Sequence, residues 1–120
     1  MSFKVVTTPD TDADLVEICN WYAQQSIGLD LVFLDTLRAM TEQMAALPKS
    51  FPIVYKETHM ALLNQFPYKV LFVIDEEEKQ VIILAVVHTA RHPRAWRLEA
   101  ANLIFATVPY TLRRLLPFQR

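Results

Sequence analysis

A single cysteine, Cys19, rules out a disulfide-stapled scaffold. Its place on the apolar stripe of a helical stretch marks a small buried hydrophobe rather than a nucleophile. Glycine is as scarce: only Gly28 is present. The longest wholly apolar run, Val81–Val87, is too short to cross a bilayer. Met1–Val6 has one lysine and no long apolar region, so no signal peptide is read and a soluble cytoplasmic protein with no membrane association is expected. There is also no lysine after Lys79. Residues 1–85 hold six Lys or Arg against twelve Asp or Glu, whereas residues 86–120 hold six Arg against Glu99 alone. Such a split concerns partners more than fold, and it favours an anionic partner at the basic end unless the two halves neutralise each other.

What is present is ample core material for one domain of 120 residues, including seven Phe, four Tyr and two Trp. Ser2–Thr7 reads as a short strand. Thr8 is placed to cap a helix with Pro9 at its first position, and Asp10, Asp12 and Asp14 lie near the positive end of its dipole. Leu15, Ile18, Cys19 and Tyr22 then recur at helical spacing, with Trp21 off that stripe. Gly28 suggests a left-handed cap closing this first helix. A second helix is expected over Leu29–Leu47, with Phe33, Leu37, Met40 and Met44 on one side and Pro48 ending it. So short a connection makes an antiparallel helical hairpin whose apolar faces need a sheet to cover.

Pro48–Glu57 reads as a loop, and His59–Phe66 as a strand ending near Pro67. Lys69–Ile74 and Gln80–His88 are the clearest strands, joined by the acidic turn Asp75–Lys79, which reads as solvated and not as a metal site. Near-continuous apolarity in Val81–Val87 indicates a central strand covered on both faces. Trp96–Thr107 reads as a third helix, with Trp96, Ala100, Leu103 and Ile104 on one face, followed by Pro109 and an apolar-basic tail. The expected fold class is α+β: an N-terminal strand and a helical hairpin packed on a twisted antiparallel sheet of about four strands, with an extra C-terminal helix. The chain divides into a domain over 1–96 and a helical extension over 97–120 packed on it.

DLVEICNWYAQQ and GLDLVFLDTL, the Leu-Pro and Phe-Pro loop, FPYKVLFVI and VVHTARHPRAW occur in an order that resembles the RelE/ParE toxin superfamily of type II toxin–antitoxin modules. The resemblance covers roughly Phe3 to Trp96 and rests chiefly on Phe66-Pro67-Tyr68 followed by His88, Arg91, Pro93 and Trp96. It implies a toxin of a plasmid-stabilisation module, neutralised by a cognate antitoxin and needing no cofactor or metal. Two activities are implied by the superfamily. ParE-like members poison DNA gyrase, and RelE-like members cut messenger RNA on the ribosome.

RNA cleavage needs a proton-transfer group and cations at the phosphate. His88 and Arg91 suit those roles and are the catalytic pair if the chain is an RNase. The strand before Phe66 has no Lys or Arg, however; its nearest cationic candidates are His59 and Lys56. The resemblance implies cations on that strand in ParE-like members too, but gyrase poisoning needs only a binding surface. His88–Trp96 with the Leu-Pro and Phe-Pro loop resembles ParE-like members more, and the reading is of a ParE-like, non-enzymatic gyrase poison. His88, Arg91, Arg94, Trp96 and Tyr68 would meet the target, and Trp21, Tyr22 and Phe33 the antitoxin. The alternatives are a ribosome-dependent endonuclease, or a weak or inactive homologue that only binds an antitoxin. The 97–120 extension would cover the sheet face, mediate a homodimer, or occupy the antitoxin groove.

Overall fold

In a computed structural model, which describes residues 2–90, five strands and two helices form two layers. Strand β1 (Lys4–Thr7) leads into helices α1 (Pro9–Gln25) and α2 (Leu29–Ala46). A 3-10 turn at Pro48–Ser50 precedes β2 (Ile53–Tyr55), β3 (Thr58–Leu62), β4 (Tyr68–Asp75) and β5 (Gln80–His88). The sheet order is β1-β5-β4-β3-β2.

Several sequence expectations need correction. The sheet has five strands, because Ile53–Tyr55 pairs with β3 inside the stretch read as a loop. It is also mixed: β1 runs parallel to β5, while every other pair is antiparallel. A parallel pair needs a long crossover, and the helical hairpin is part of the connection here. The third strand ends at Leu62 rather than Phe66. The expected third helix and the 97–120 extension lie outside the described residues.

The helices start as the sequence indicates. Thr8 is the N-cap of α1, its hydroxyl accepting from the Thr11 amide at 3.3 Å, and Pro9 occupies the first turn. Gly28 does adopt the left-handed conformation, at φ +84°, but it caps the start of α2; Ser26 closes α1. Tyr22 of α1 and Phe33, Leu37, Met40 and Met44 of α2 pack on Val70, Phe72, Val81, Ile83 and Val86 of the sheet. Cys19 is half-buried beside this core, and burial, aided by the nearby Asp30 carboxylate, raises its thiol pKa. It packs against the core as a half-buried side chain.

A bulge locks the two layers together. Leu71 pairs with Ala85 and Phe72 with Ile83, so Leu84 has no partner in the β4 register. The buried Thr11 hydroxyl donates to the Ile83 carbonyl at 3.2 Å and shares a 2.9 Å bond with the Thr8 hydroxyl. Thr8 in turn reaches the Leu84 carbonyl at 3.5 Å. The start of α1 is thereby tied to the middle of the central strand. At the acidic turn, Asp75 accepts from the backbone amides of Glu77 and Glu78, which is the role of a turn residue.

Candidate functional site: an acidic and aromatic cleft beside His88

A cleft of about 790 Å³ opens between α1, the loop before β4 and the end of β5. Asp14, Glu17, Ile18, Trp21 and Tyr22 come from α1, and Leu29 from the start of α2. Gln65, Phe66 and Pro67 supply the loop wall, and Tyr68, Val86, Val87 and His88 the sheet wall. The loop is held to the sheet by its backbone: the Leu63 amide donates to the Tyr68 carbonyl at 3.0 Å, and the Thr89 amide to the Pro67 carbonyl at 2.9 Å. Pro67 has no amide proton to offer, so its carbonyl makes the contact that closes this end of the β4–β5 ladder.

That closure sets Tyr68 opposite His88. Their rings meet edge to face, 5.4 Å between centroids at 78°. His88 is exposed, and its Nδ1 accepts from the Ala90 amide at 3.1 Å. An Nδ1 that accepts leaves the neutral ring's proton on Nε2. The Tyr68 phenol pKa is raised, first by burial and then by the Glu17 carboxylate; that of Tyr22 is raised by burial and by Tyr68. Both phenols stay protonated near neutral pH.

Beneath the cleft lies a knot of rings. Tyr22 meets Phe66 at 5.1 Å and 72°, Phe33 meets Phe66 at 5.2 Å and 87°, and Tyr68 lies 5.9 Å from Phe33. Such edge-to-face contacts fix ring orientation more tightly than aliphatic packing does.

The residues singled out from sequence fall into three groups. Tyr68 and His88 share this cleft, together with Trp21 and Tyr22. Trp21 is 55% exposed and packs edge-on against Tyr22, which is buried. Phe33 is fully buried and presents no surface; it supports the cleft from below. Arg91, Arg94 and Trp96 lie outside the described residues. Sequence reasoning misses the acidic wall: Asp14 enters only as a dipole partner of α1, and Glu17 only as part of a helical stretch with no role of its own.

His59 is not part of this site. It is buried on β3, bonded through Nδ1 to the Phe51 carbonyl at 2.8 Å and stacked on Phe72 at 14°. Among the described residues, no Lys or Arg lines the cleft, and no group of three or more His, Cys, Asp or Glu is arranged to hold a metal ion. Two carboxylates on the wall repel phosphates, so the described part of the cleft suits a cationic or apolar ligand surface better than a nucleic-acid backbone. No described helix is long and apolar enough to cross a membrane.

No family model matches the chain, and no curated protein matches it. Among solved structures, the chain is similar to the toxin–antitoxin complex RelBE2 from Mycobacterium tuberculosis, with a TM-score of 0.52 and 20% identity over 73% of this chain and 99% of the other. The two share a fold.

Proposed function

We propose that this chain is the toxin component of a type II toxin–antitoxin module, works by protein recognition in the manner of a gyrase poison, and is neutralised by a cognate antitoxin. The observation that carries this reading is the composition of the cleft at the His88 end of β5. It offers aromatic rings, two carboxylates and protonated phenols, and among the described residues it offers no cation for a phosphate. Cleavage of RNA needs positive charge where the phosphate becomes doubly charged, whereas protein binding needs only a shaped surface. The likeness in fold to a protein solved as a toxin–antitoxin complex supports the antitoxin as partner. So does the outer face of α2, where Leu31, Val32 and Leu34 are exposed side by side. A grouped apolar surface of this kind is a common partner site.

In this reading Trp21 and the outward α2 residues meet the antitoxin. Tyr68, with Arg91, Arg94 and Trp96 from the following segment, meets the target, and His88 borders that surface without being required for it. The competing reading, ribosome-dependent RNA cleavage, draws its support from His88 and from Arg91 three residues later in the sequence, which would serve as proton-transfer group and phosphate clamp. The two are separated by assaying the purified chain on gyrase supercoiling and in a translation extract. Inhibition of supercoiling with messenger RNA left intact is expected. Messenger RNA cleavage abolished by His88→Ala, with supercoiling untouched, would reverse the assignment.

A further inference from the structure

A second cavity, of about 510 Å³, lies toward the other end of the sheet. Ile74 on its wall is about 20 Å along β4 from Tyr68 of the cleft. A row of register partners makes its floor. Ile53 pairs with His59 across β2 and β3, His59 pairs with Phe72 across β3 and β4, and Ile74 follows Phe72 on the same face. Around the rim stand Lys49 from the turn after α2, Glu57 from the β2–β3 turn, and Glu76 and Glu77 from the β4–β5 turn.

His59 is only 8% exposed, and its ring stacks on Phe72 at 14°. Its Nδ1 lies 2.8 Å from the Phe51 carbonyl, which can only accept, so Nδ1 carries the proton. The neutral ring therefore brings a lone pair on Nε2 to the cavity that it lines. Among the described residues nothing donates to that atom. A polar atom of so buried a ring is normally partnered, and a ligand carrying a donor would partner this one. The rim sets the ligand's charge, because three glutamates stand there against one lysine. It also holds one primary ammonium already: Lys49 Nζ is 2.8 Å from the Glu76 carboxylate, and that hydrogen bond is the main cause of the lowered Glu76 pKa. Among the described residues no three of these groups are arranged for a metal ion, so the cation that fits is organic.

We propose that this cavity binds a primary alkylammonium group, with His59 Nε2 and the Glu57 carboxylate accepting its N–H donors and Ile53 and Ile74 covering its methylene chain. Three diverging N–H donors suit acceptors that come from separate elements, whereas a flat guanidinium fork suits a single bidentate carboxylate. A free amine and a partner's lysine side chain both carry this group. The site is separate from the cleft beside His88, and the inference does not depend on which target the chain engages.

The test follows the His59 ring signals by NMR in the full-length chain at about pH 8, where an ordinary imidazole is neutral. The probe is n-butylammonium, with tetramethylammonium as a cation of equal charge that has no N–H to donate. Saturable shifts of His59, with His88 unmoved, are expected from n-butylammonium alone. Glu57→Gln should weaken the binding by about twofold to fivefold, the usual worth of an exposed ion pair. Lys49→Met frees Glu76 and should tighten it by about the same factor, which a merely structural role for Lys49 does not predict. Both side chains are exposed, so the unfolding midpoint should stay near that of the parent. Lysine with both backbone ends blocked is the second arm. Binding as tight as that of n-butylammonium supports the proposal with a peptide lysine as the source, and binding of the free amine alone supports it with a small molecule. No His59 shift up to about 100 mM probe, far above the range of a specific site, overturns the proposal. So does an equal shift with tetramethylammonium, a shift of His88 alone, or unchanged affinity in Glu57→Gln.

Discussion

Tyr68 and His88 are register partners across β4 and β5, and their rings meet edge to face at 5.4 Å. The pair sits where the most apolar strand of the chain reaches the surface, with Glu17 of α1 close enough to help raise the Tyr68 pKa. Three elements distant in sequence thus converge on one rim. Exposed His88 carries little of the packing, so His88→Ala should leave the unfolding midpoint nearly unchanged, within about 0.5 kcal/mol. If the chain is a gyrase poison, that variant still inhibits supercoiling, while Arg91→Ala or Arg94→Ala loses inhibition.

Alkaline titration of the tyrosines tests the cleft's electrostatics. Tyr22 and Tyr68 have phenol pKa values raised above the ordinary value, mainly by burial. A raised pKa in the folded state means the fold holds protons that the unfolded chain releases first. The stability is therefore complete below the unfolded tyrosine value and declines as pH rises through the folded value. Tyrosinate absorbance should show two late-titrating phenols. In Glu17→Gln one of them, Tyr68, should move part of the way back, because burial remains the larger cause. No movement would show that Glu17 does not face the ring.

The tie between α1 and the bulged strand has a stability cost when removed. Thr11→Val keeps the shape and deletes the hydroxyl that bonds Thr8 and the Ile83 carbonyl. A loss of about 1–2 kcal/mol in urea unfolding is expected from the unmet buried groups. Thr8→Ala, which removes the helix cap, should cost about 1 kcal/mol. Neither change alters the cleft residues, so the activity of the folded fraction should be retained.

Phe33 and Trp21 separate packing from recognition. Phe33 is wholly buried among Tyr22, Phe66 and Tyr68, and Phe33→Ala should destabilise by about 3–5 kcal/mol. Half-exposed Trp21 touches Tyr22 at 5.1 Å, so Trp21→Ala should cost about 1 kcal/mol or less. With the antitoxin as partner, Trp21→Ala weakens its binding while circular dichroism and the unfolding midpoint stay close to those of the parent chain. Unchanged affinity would remove Trp21 from that interface.

Much of this architecture is legible in the letters, for identifiable reasons. The Val81–Val87 run and the β4 pattern mark buried strands because no other short element tolerates such continuous apolarity. Thr8-Pro9 and the Leu15, Ile18, Cys19 and Tyr22 spacing mark α1 because capping and periodicity are local properties. Pairing is not local. Lys4–Thr7 carries no sign of whether its partner runs parallel, and its contact with β5 depends on the whole chain between them. Strand β2 has three residues, Ile53–Tyr55, followed by a turn in which Lys56 takes φ 52°. That is too short for an alternation to register. The acidic wall was illegible for a different reason: carboxylates near a helix start already have an explanation in the dipole, so a second role for Asp14 does not stand out.

The most direct measurement of the central claim sets the purified chain and its Arg91→Ala and His88→Ala variants side by side in a gyrase supercoiling assay, with ribosome-dependent cleavage of a messenger RNA as the counter-assay. Recognition without RNA chemistry predicts inhibition by the parent and by His88→Ala, loss of inhibition with Arg91→Ala, and intact messenger RNA throughout. Cleaved messenger RNA with the parent chain, intact message with His88→Ala and unaffected supercoiling would contradict it.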